Sequence, residues 1–214
     1  MVPVTEEEIR HVVRSAVAPH PLPVGNLFVE EFVVSERGRI DLALIGDRLS
    51  GFELKSDLDT LHRLPRQMAT YGEVFDFCTL VVTQRHLPKA RELLLPGWGL
   101  AVVKYGTEGL SYRQLRRPRP MKTVRKQALA QLLWRDEALH ALDALDAAAG
   151  VRSKPRDVLW QRLCDVTELD QLRAIVTNAL TARQGWRDVQ APHARVERSQ
   201  PAGGSSRFLA RRLR

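Results

Sequence analysis

Three strand-like segments follow one another between residues 27 and 56, and they constrain the fold more than any other feature of the chain. They read LFVEEFVV (27–34), RIDLALI (39–45) and GFELKS (51–56). β-Branched, aromatic and other apolar residues dominate all three, as is typical of strands. The turn-forming string GDRLSG joins the second segment to the third. The sequence therefore predicts a three-stranded meander.

Helix-like and strand-like patterns alternate on both sides of this meander. Residues 5–17 place apolar side chains on one stripe behind a Thr5 cap with Glu8 three residues later, which predicts an amphipathic helix. Downstream the pattern is helical at 59–75, strand-like at 79–83, briefly helical again and strand-like at 100–105. The resulting order, αβββαβαβ, indicates an α/β fold with a mixed sheet and helices on its faces.

The second half of the chain differs in both charge and composition. Residues 1–112 carry 12 basic and 15 acidic residues, whereas 113–214 carry 21 and 10. We predict that a domain at 1–112 is followed by a basic linker at 113–121, a small all-helical domain at 122–187 and a flexible basic tail at 188–214. The net charge of +11 in this half favours a polyanionic partner, because Lys and Arg displace counterions from nucleic-acid phosphates.

Charged side chains interrupt the apolar pattern of the second and third strand-like segments. Glu53 and Lys55 must project from the same face of their strand, because side chains alternate between faces. Asp41 lies in the preceding strand, and the intervening turn can bring it beside Glu53. Two converging carboxylates repel each other unless positive charge lies between them. The sequence therefore predicts a divalent cation near Asp41 and Glu53, with the Lys55 ammonium beside it.

Oxygen ligands without neighbouring His or Cys favour Mg²⁺ or Mn²⁺. Asp41 and Glu53 are the expected metal ligands, and the Leu54 carbonyl is a further candidate because backbone oxygens become available where a sheet splays. Such a metal polarises a scissile phosphate and lowers the pKa of a bound water. Lys55 would orient that water or stabilise developing charge. The expected product is a cleaved phosphodiester.

The spacing from Asp41 to the string Glu53-Leu54-Lys55 resembles the PD-(D/E)XK nuclease superfamily, although Ile40 stands where the motif has Pro. The resemblance implies a restriction-endonuclease-like αβββαβ core and DNA hydrolysis. Gln67 and Tyr71 look like the QxxxY element of RecB-type members, which implies a catalytic role for Gln67 and nucleic-acid contact for Tyr71. The superfamily also implies an acidic ligand ahead of the first motif: Glu31, with Glu30 and Glu8 as competitors. The string GFELKSDLDTLHRLPRQ is similar to a small family of bacterial and phage proteins.

Simpler interpretations remain open for the same residues. Asp41 and Lys55 could form a cross-strand ion pair with Glu53 pointing to solvent. Gln67 and Tyr71, which share a helix face, could anchor their helix instead of meeting DNA.

We therefore expect a Mg²⁺- or Mn²⁺-dependent nuclease with DNA as its partner. The alternatives are a non-catalytic nucleic-acid-binding protein and an interaction subunit of a DNA-processing or phage-defence complex. A homodimer is compatible with cutting two strands. The expected DNA contacts are Tyr71, Arg116, Arg117, Arg119, Lys122, Arg125 and Lys126. The acidic N-terminal region and the absence of a long apolar run predict a cytoplasmic protein that does not contact a membrane.

Overall fold

The computed structural model describes residues 3–17, 26–34, 38–107 and 109–183. The strands are β1 (Leu27–Val33), β2 (Arg39–Ile45), β3 (Leu49–Lys55), β4 (Phe77–Thr83), β5 (Gly99–Gly106) and β6 (Gly109–Arg116). The helices are α1 (Glu6–Val17), α2 (Leu64–Gly72), α3 (Leu87–Leu93), α4 (Lys126–Ala130), α5 (Arg135–Ala144), α6 (Arg156–Val166) and α7 (Leu169–Ala182).

The six strands form one mixed sheet in the order β1-β2-β3-β4-β5-β6. The first three pair antiparallel, β4 lies parallel to β3, β5 lies parallel to β4, and β6 returns antiparallel. The predicted meander and the α/β fold with a mixed sheet are therefore confirmed. At the start of α1 the predicted cap is also present, because the Glu8 N–H donates to Thr5 Oγ1 while Thr5 N donates to Glu8 Oε2.

One strand was not expected from the sequence. β6 takes in residues 113–116, for which the composition predicts a linker, so the boundary drawn at residue 112 falls inside the sheet. This strand lies at the edge of the sheet, and its side chains are exposed or only half-buried. Polar and basic residues are stable there, so the apolar signal of a buried strand is missing.

Each face of the sheet packs against helices. On one face α1 buries Ile9 and Val13 against Leu42, Phe52 and Leu54. On the other face a continuous apolar cluster runs from the sheet through α2 into the C-terminal helices. Its members include Met68, Phe75, Leu80, Trp98, Leu129, Leu163 and Leu172. The C-terminal region is helical, as predicted, and it shares this core with the sheet.

The predicted tail at 188–214 lies outside the described residues, as do the last residues of the predicted helical domain. Within the described part of the chain, the helices are too short or too polar to cross a membrane.

Candidate metal centre

The site forms where β2 and β3 separate. Their ladder ends at the pair Leu42 and Phe52. Beyond it Asp41 Oδ2 accepts a hydrogen bond from the Leu54 N–H at 2.6 Å, so a side chain replaces the missing backbone partner. In a β-strand the N–H and C=O groups of one residue point towards the same neighbouring strand. The Leu54 carbonyl therefore points towards the gap beside Asp41.

Glu53 and Lys55 lie on the next strand as a buried ion pair. Glu53 is 0% exposed and Lys55 8%, and Lys55 Nζ donates to Glu53 Oε1 at 2.6 Å. The interpretation in which Glu53 points to solvent is therefore wrong. Glu53 Oε2 is buried without a hydrogen-bond partner among the described residues. A buried carboxylate oxygen left in this way carries a desolvation cost that a cation would relieve.

Two further carboxylates approach Asp41 from β1 and α1. Ligand oxygens of Glu6, Glu31 and Asp41 lie within 4.8 Å of one another. Glu31 has a φ of +53°. The ladder of β1 and β2 skips this residue, because Glu30 pairs with Leu42 and the next pair is Phe32 with Ile40. The local distortion lets its side chain leave the regular pleat and join the cluster. Of the three candidates for the additional acid, Glu31 is the one that lies beside Asp41.

The competing acids have other partners. Glu8 caps α1 and accepts the Tyr105 hydroxyl at 2.7 Å, and Glu30 pairs with Arg14 at 2.7 Å. Glu6 was not expected from the sequence. Its only signal is the acidic first turn of α1, and the rotation of the packed helix decides which of the three glutamates reaches β2.

Burial and mutual repulsion raise the pKa values of the central carboxyls. The pKa of Asp41 rises to about 8, first because of burial and then because of the neighbouring charge of Glu53. Burial also raises the pKa of Glu53, and the positive charge of Lys55 opposes this rise. Both carboxyls thus have a strong tendency to bind a proton, which a divalent cation can replace.

Two arginines neutralise part of the acidic cluster. Arg10 Nη2 contacts Glu6 and lies 3.0 Å from Glu31 Oε1, while Arg39 Nη1 lies 2.6 Å from Glu31 Oε2. With every carboxyl ionised, the site carries four negative formal charges (Glu6, Glu31, Asp41, Glu53) and three positive ones (Arg10, Arg39, Lys55). One negative charge remains.

The residues present fit a hard divalent cation. The donors are carboxylate oxygens, with a backbone carbonyl beside them and no sulfur or imidazole in the cluster of described residues. Glu53 is not one of the three clustered acids, and its Oε2 supplies a desolvated acceptor that lacks a hydrogen-bond partner among the described residues.

The two residues of the QxxxY element line the same region from α2. Burial raises the pKa of Glu53, and Gln67 lies close enough to oppose part of that rise; Gln67 Oε1 is itself buried without a partner among the described residues. Tyr71 is 1% exposed, and its hydroxyl donates to the Arg39 carbonyl at 2.7 Å. Burial and the charge of Glu53 raise its pKa. This placement favours anchoring of α2 to β2 over the expected contact of Tyr71 with DNA.

Three of the expected basic DNA contacts are tied to the protein itself. The Arg116 guanidinium donates to the carbonyls of Trp98 and Leu95, Lys126 Nζ donates to those of Cys164 and Thr167, and Arg125 Nε lies 3.6 Å from Glu73. Arg116 and Arg125 remain exposed, whereas Lys126 is half-buried.

The other three, Arg117, Arg119 and Lys122, are exposed. They belong to the segment 117–125, which we call the basic strap. Its backbone N–H groups at Arg119 and Met121 donate to the carbonyls of Gly97 and Asp76. The strap therefore crosses the end of the sheet at which β4 and β5 begin, whereas the carboxylates lie where β3 ends.

Comparisons with known proteins give one family and one solved structure. The SPO1766 protein of unknown function from Silicibacter pomeroyi is 20% identical with a TM-score of 0.39, and the match covers 69% of this chain and 90% of that one. No curated protein matches. The family profile of bacteriophage P4 protein cII matches residues 8–199, which is most of the chain. The chain therefore belongs to the bacteriophage P4 protein cII family.

Proposed function

We propose that this protein is a metal-dependent nuclease of the PD-(D/E)XK superfamily, with a restriction-endonuclease-like core, that hydrolyses phosphodiester bonds in DNA. One observation carries the proposal. At the point where β2 and β3 separate, Asp41 accepts from the Leu54 N–H and lies close enough to the buried pair of Glu53 and Lys55 for the charge of Glu53 to raise its pKa, and one Glu53 oxygen lacks a partner among the described residues.

Asp41 and Glu53 would hold Mg²⁺ or Mn²⁺, with Glu31, Glu6 and the Leu54 carbonyl as further oxygen donors. When bound, the metal polarises a phosphate oxygen and lowers the pKa of a water ligand. Glu53 Oε1 holds the Lys55 ammonium at 2.6 Å and so places its positive charge at the site. This charge orients the attacking water and stabilises the developing negative charge. Gln67 lies beside Glu53 and would help to position it.

The charges around the site support an anionic substrate. With Asp41 ionised, as a bound metal would keep it, the four carboxylates and three cationic groups leave one negative formal charge, which a divalent cation would convert into one positive charge. A phosphodiester carries one negative charge. Substrate binding would then neutralise the loaded site.

The test is a cleavage assay on single-stranded DNA, duplex DNA and RNA with Mg²⁺ or Mn²⁺. Asp41→Asn, Glu53→Gln and Lys55→Gln should each reduce cleavage by about 100-fold or more. Glu92→Gln is the matched control, because Glu92 pairs with Lys89 on the exposed face of α3. Intact substrates under all these conditions, or equal cleavage by the three variants and the control, would refute the proposal.

A second candidate is non-catalytic nucleic-acid binding, which the four exposed cations of the basic strap favour. Phosphate contacts would supply affinity there without reading sequence. Salt-dependent binding without cleavage, unchanged in Lys55→Gln, would select this function over hydrolysis.

A further inference from the structure

Arg10 holds two of the three carboxylates that cluster beside β2. Its Nη2 atom contacts Glu6 one turn earlier on α1 and lies 3.0 Å from Glu31 Oε1 on β1. Its Nη1 atom is 3.6 Å from Glu30. The side chain is only 19% exposed, so these interactions are screened less than those of a surface pair.

Both oxygens of Glu31 are engaged by guanidinium groups, Oε1 by Arg10 and Oε2 by Arg39. A cation that binds Glu31 must therefore weaken one of these ion pairs. Arg39 is 62% exposed and can turn into water at little cost. Arg10 lies between α1 and β1 and also occupies Glu6, so its charge opposes a cation more strongly.

We propose that Arg10 is the internal competitor of the metal: it neutralises Glu6 and Glu31 in the metal-free protein, and a divalent cation must loosen it to bind. The inference rests on the proposed metal site and concerns how that site is regulated. Linkage makes the competition reciprocal. The Arg10 ion pairs weaken metal binding by a certain free energy, and bound metal weakens those ion pairs by the same amount. Removing Arg10 should have two effects of opposite sign, with weaker folding of the metal-free protein and tighter binding of metal.

The experiment measures Mn²⁺ binding by titration calorimetry without nucleic acid, and thermal unfolding in EDTA. Arg10→Gln should bind Mn²⁺ about five-fold more tightly or better and unfold at a lower temperature than wild type in EDTA. Arg10→Lys keeps the charge but not the planar fork, so its Mn²⁺ affinity and unfolding temperature should lie between those of wild type and Arg10→Gln. Arg14→Gln is the matched control: Arg14 lies one turn further along α1 and pairs with Glu30, outside the metal cluster. Its metal affinity should stay within about two-fold of wild type.

Unchanged or weaker Mn²⁺ binding in both Arg10 variants would overturn the competition, as would equal tightening in Arg14→Gln. If Arg10→Gln does not fold, Arg10→Lys alone decides by the same criterion. Wild-type protein that binds no Mn²⁺ would remove the metal site and this inference with it. If the Mn²⁺ affinities of wild type and the variants follow the expected order but none of the proteins cleaves nucleic acid, the nuclease proposal is refuted and the role of Arg10 stands.

Discussion

Asp41 is the site residue whose ionisation destabilises the metal-free fold. Burial and the charge of Glu53 raise its pKa to about 8. In the unfolded chain an aspartate has a pKa of about 3.9. Between these values the folded state binds more protons than the unfolded state, so the free energy of unfolding falls as pH rises through this window.

We therefore expect Asp41→Asn to stabilise the metal-free protein at high pH. Asparagine keeps an oxygen that can accept from the Leu54 N–H, and it cannot become charged. At about pH 9 the variant should exceed wild type by at least about 1 kcal/mol, since one pKa unit corresponds to about 1.4 kcal/mol. The gain should shrink towards zero below about pH 4, where wild-type Asp41 becomes protonated in both states. Urea unfolding in EDTA across this range measures it, and a gain independent of pH would contradict the electrostatic explanation.

Single residues also show how far the sequence predicted this site. Strand alternation alone places Glu53 and Lys55 on one face, and their ion pair agrees with that. The position of Asp41 depends on where the ladder of β2 and β3 ends. Glu6 could not be distinguished from Glu7 and Glu8, because its approach to β2 is decided by the packing of α1 and not by any local pattern.

At the scale of elements, α2 is fixed against β2 by a hydrogen bond from Tyr71 to the Arg39 carbonyl. Tyr71→Phe should lower the free energy of unfolding by about 1 kcal/mol and leave nucleic-acid affinity unchanged. Denaturant unfolding and a binding titration with duplex DNA measure the two quantities. Weaker DNA binding at unchanged stability would contradict this prediction and support the contact with DNA that the QxxxY element implied for Tyr71.

The basic strap presents four exposed cations, Arg117, Arg119, Lys122 and Arg125. The triple variant Arg117→Gln, Arg119→Gln, Lys122→Gln should weaken DNA binding and flatten the dependence of log affinity on log salt. On duplex DNA the slope should fall by about 0.9 for each phosphate that the variant no longer neutralises. Lys154→Gln removes one charge at another exposed position, so it gives the effect of net charge for each cation removed. An unchanged slope in the triple variant would show that the strap does not bind phosphate.

The strap and β6 also show why the sequence misplaced a boundary. The two prolines at 118 and 120 and the density of arginines predicted a linker from residue 113. An edge strand needs only one paired side and little burial, so four of these residues could enter the sheet without an apolar signature.

Across the whole molecule, the helical region and the sheet are joined by a buried ion pair as well as by the shared core. Arg173 Nη2 on α7 lies 2.8 Å from Asp76 Oδ1, and both side chains are 7% exposed. Asp76 Oδ2 accepts from the Leu49 N–H at the start of β3. The pair therefore links the last described helix to the strand that carries Glu53 and Lys55.

This connection predicts that the sheet and the helices unfold together. Trp98 is fully buried in the shared core. In urea, tryptophan fluorescence and far-ultraviolet circular dichroism should give coincident transitions. Arg173→Met leaves Asp76 buried with only the more distant Arg48 as a cationic partner among the described residues. Both transitions should therefore move together to lower urea concentration, and the free energy of unfolding should fall by about 3 kcal/mol. Arg152→Met, which breaks an exposed pair with Asp143, should change stability by less than about 1 kcal/mol. Two separate transitions in wild type would instead favour the independent helical domain that the sequence suggested, because a core that cooperates across α7 and β3 cannot melt in parts.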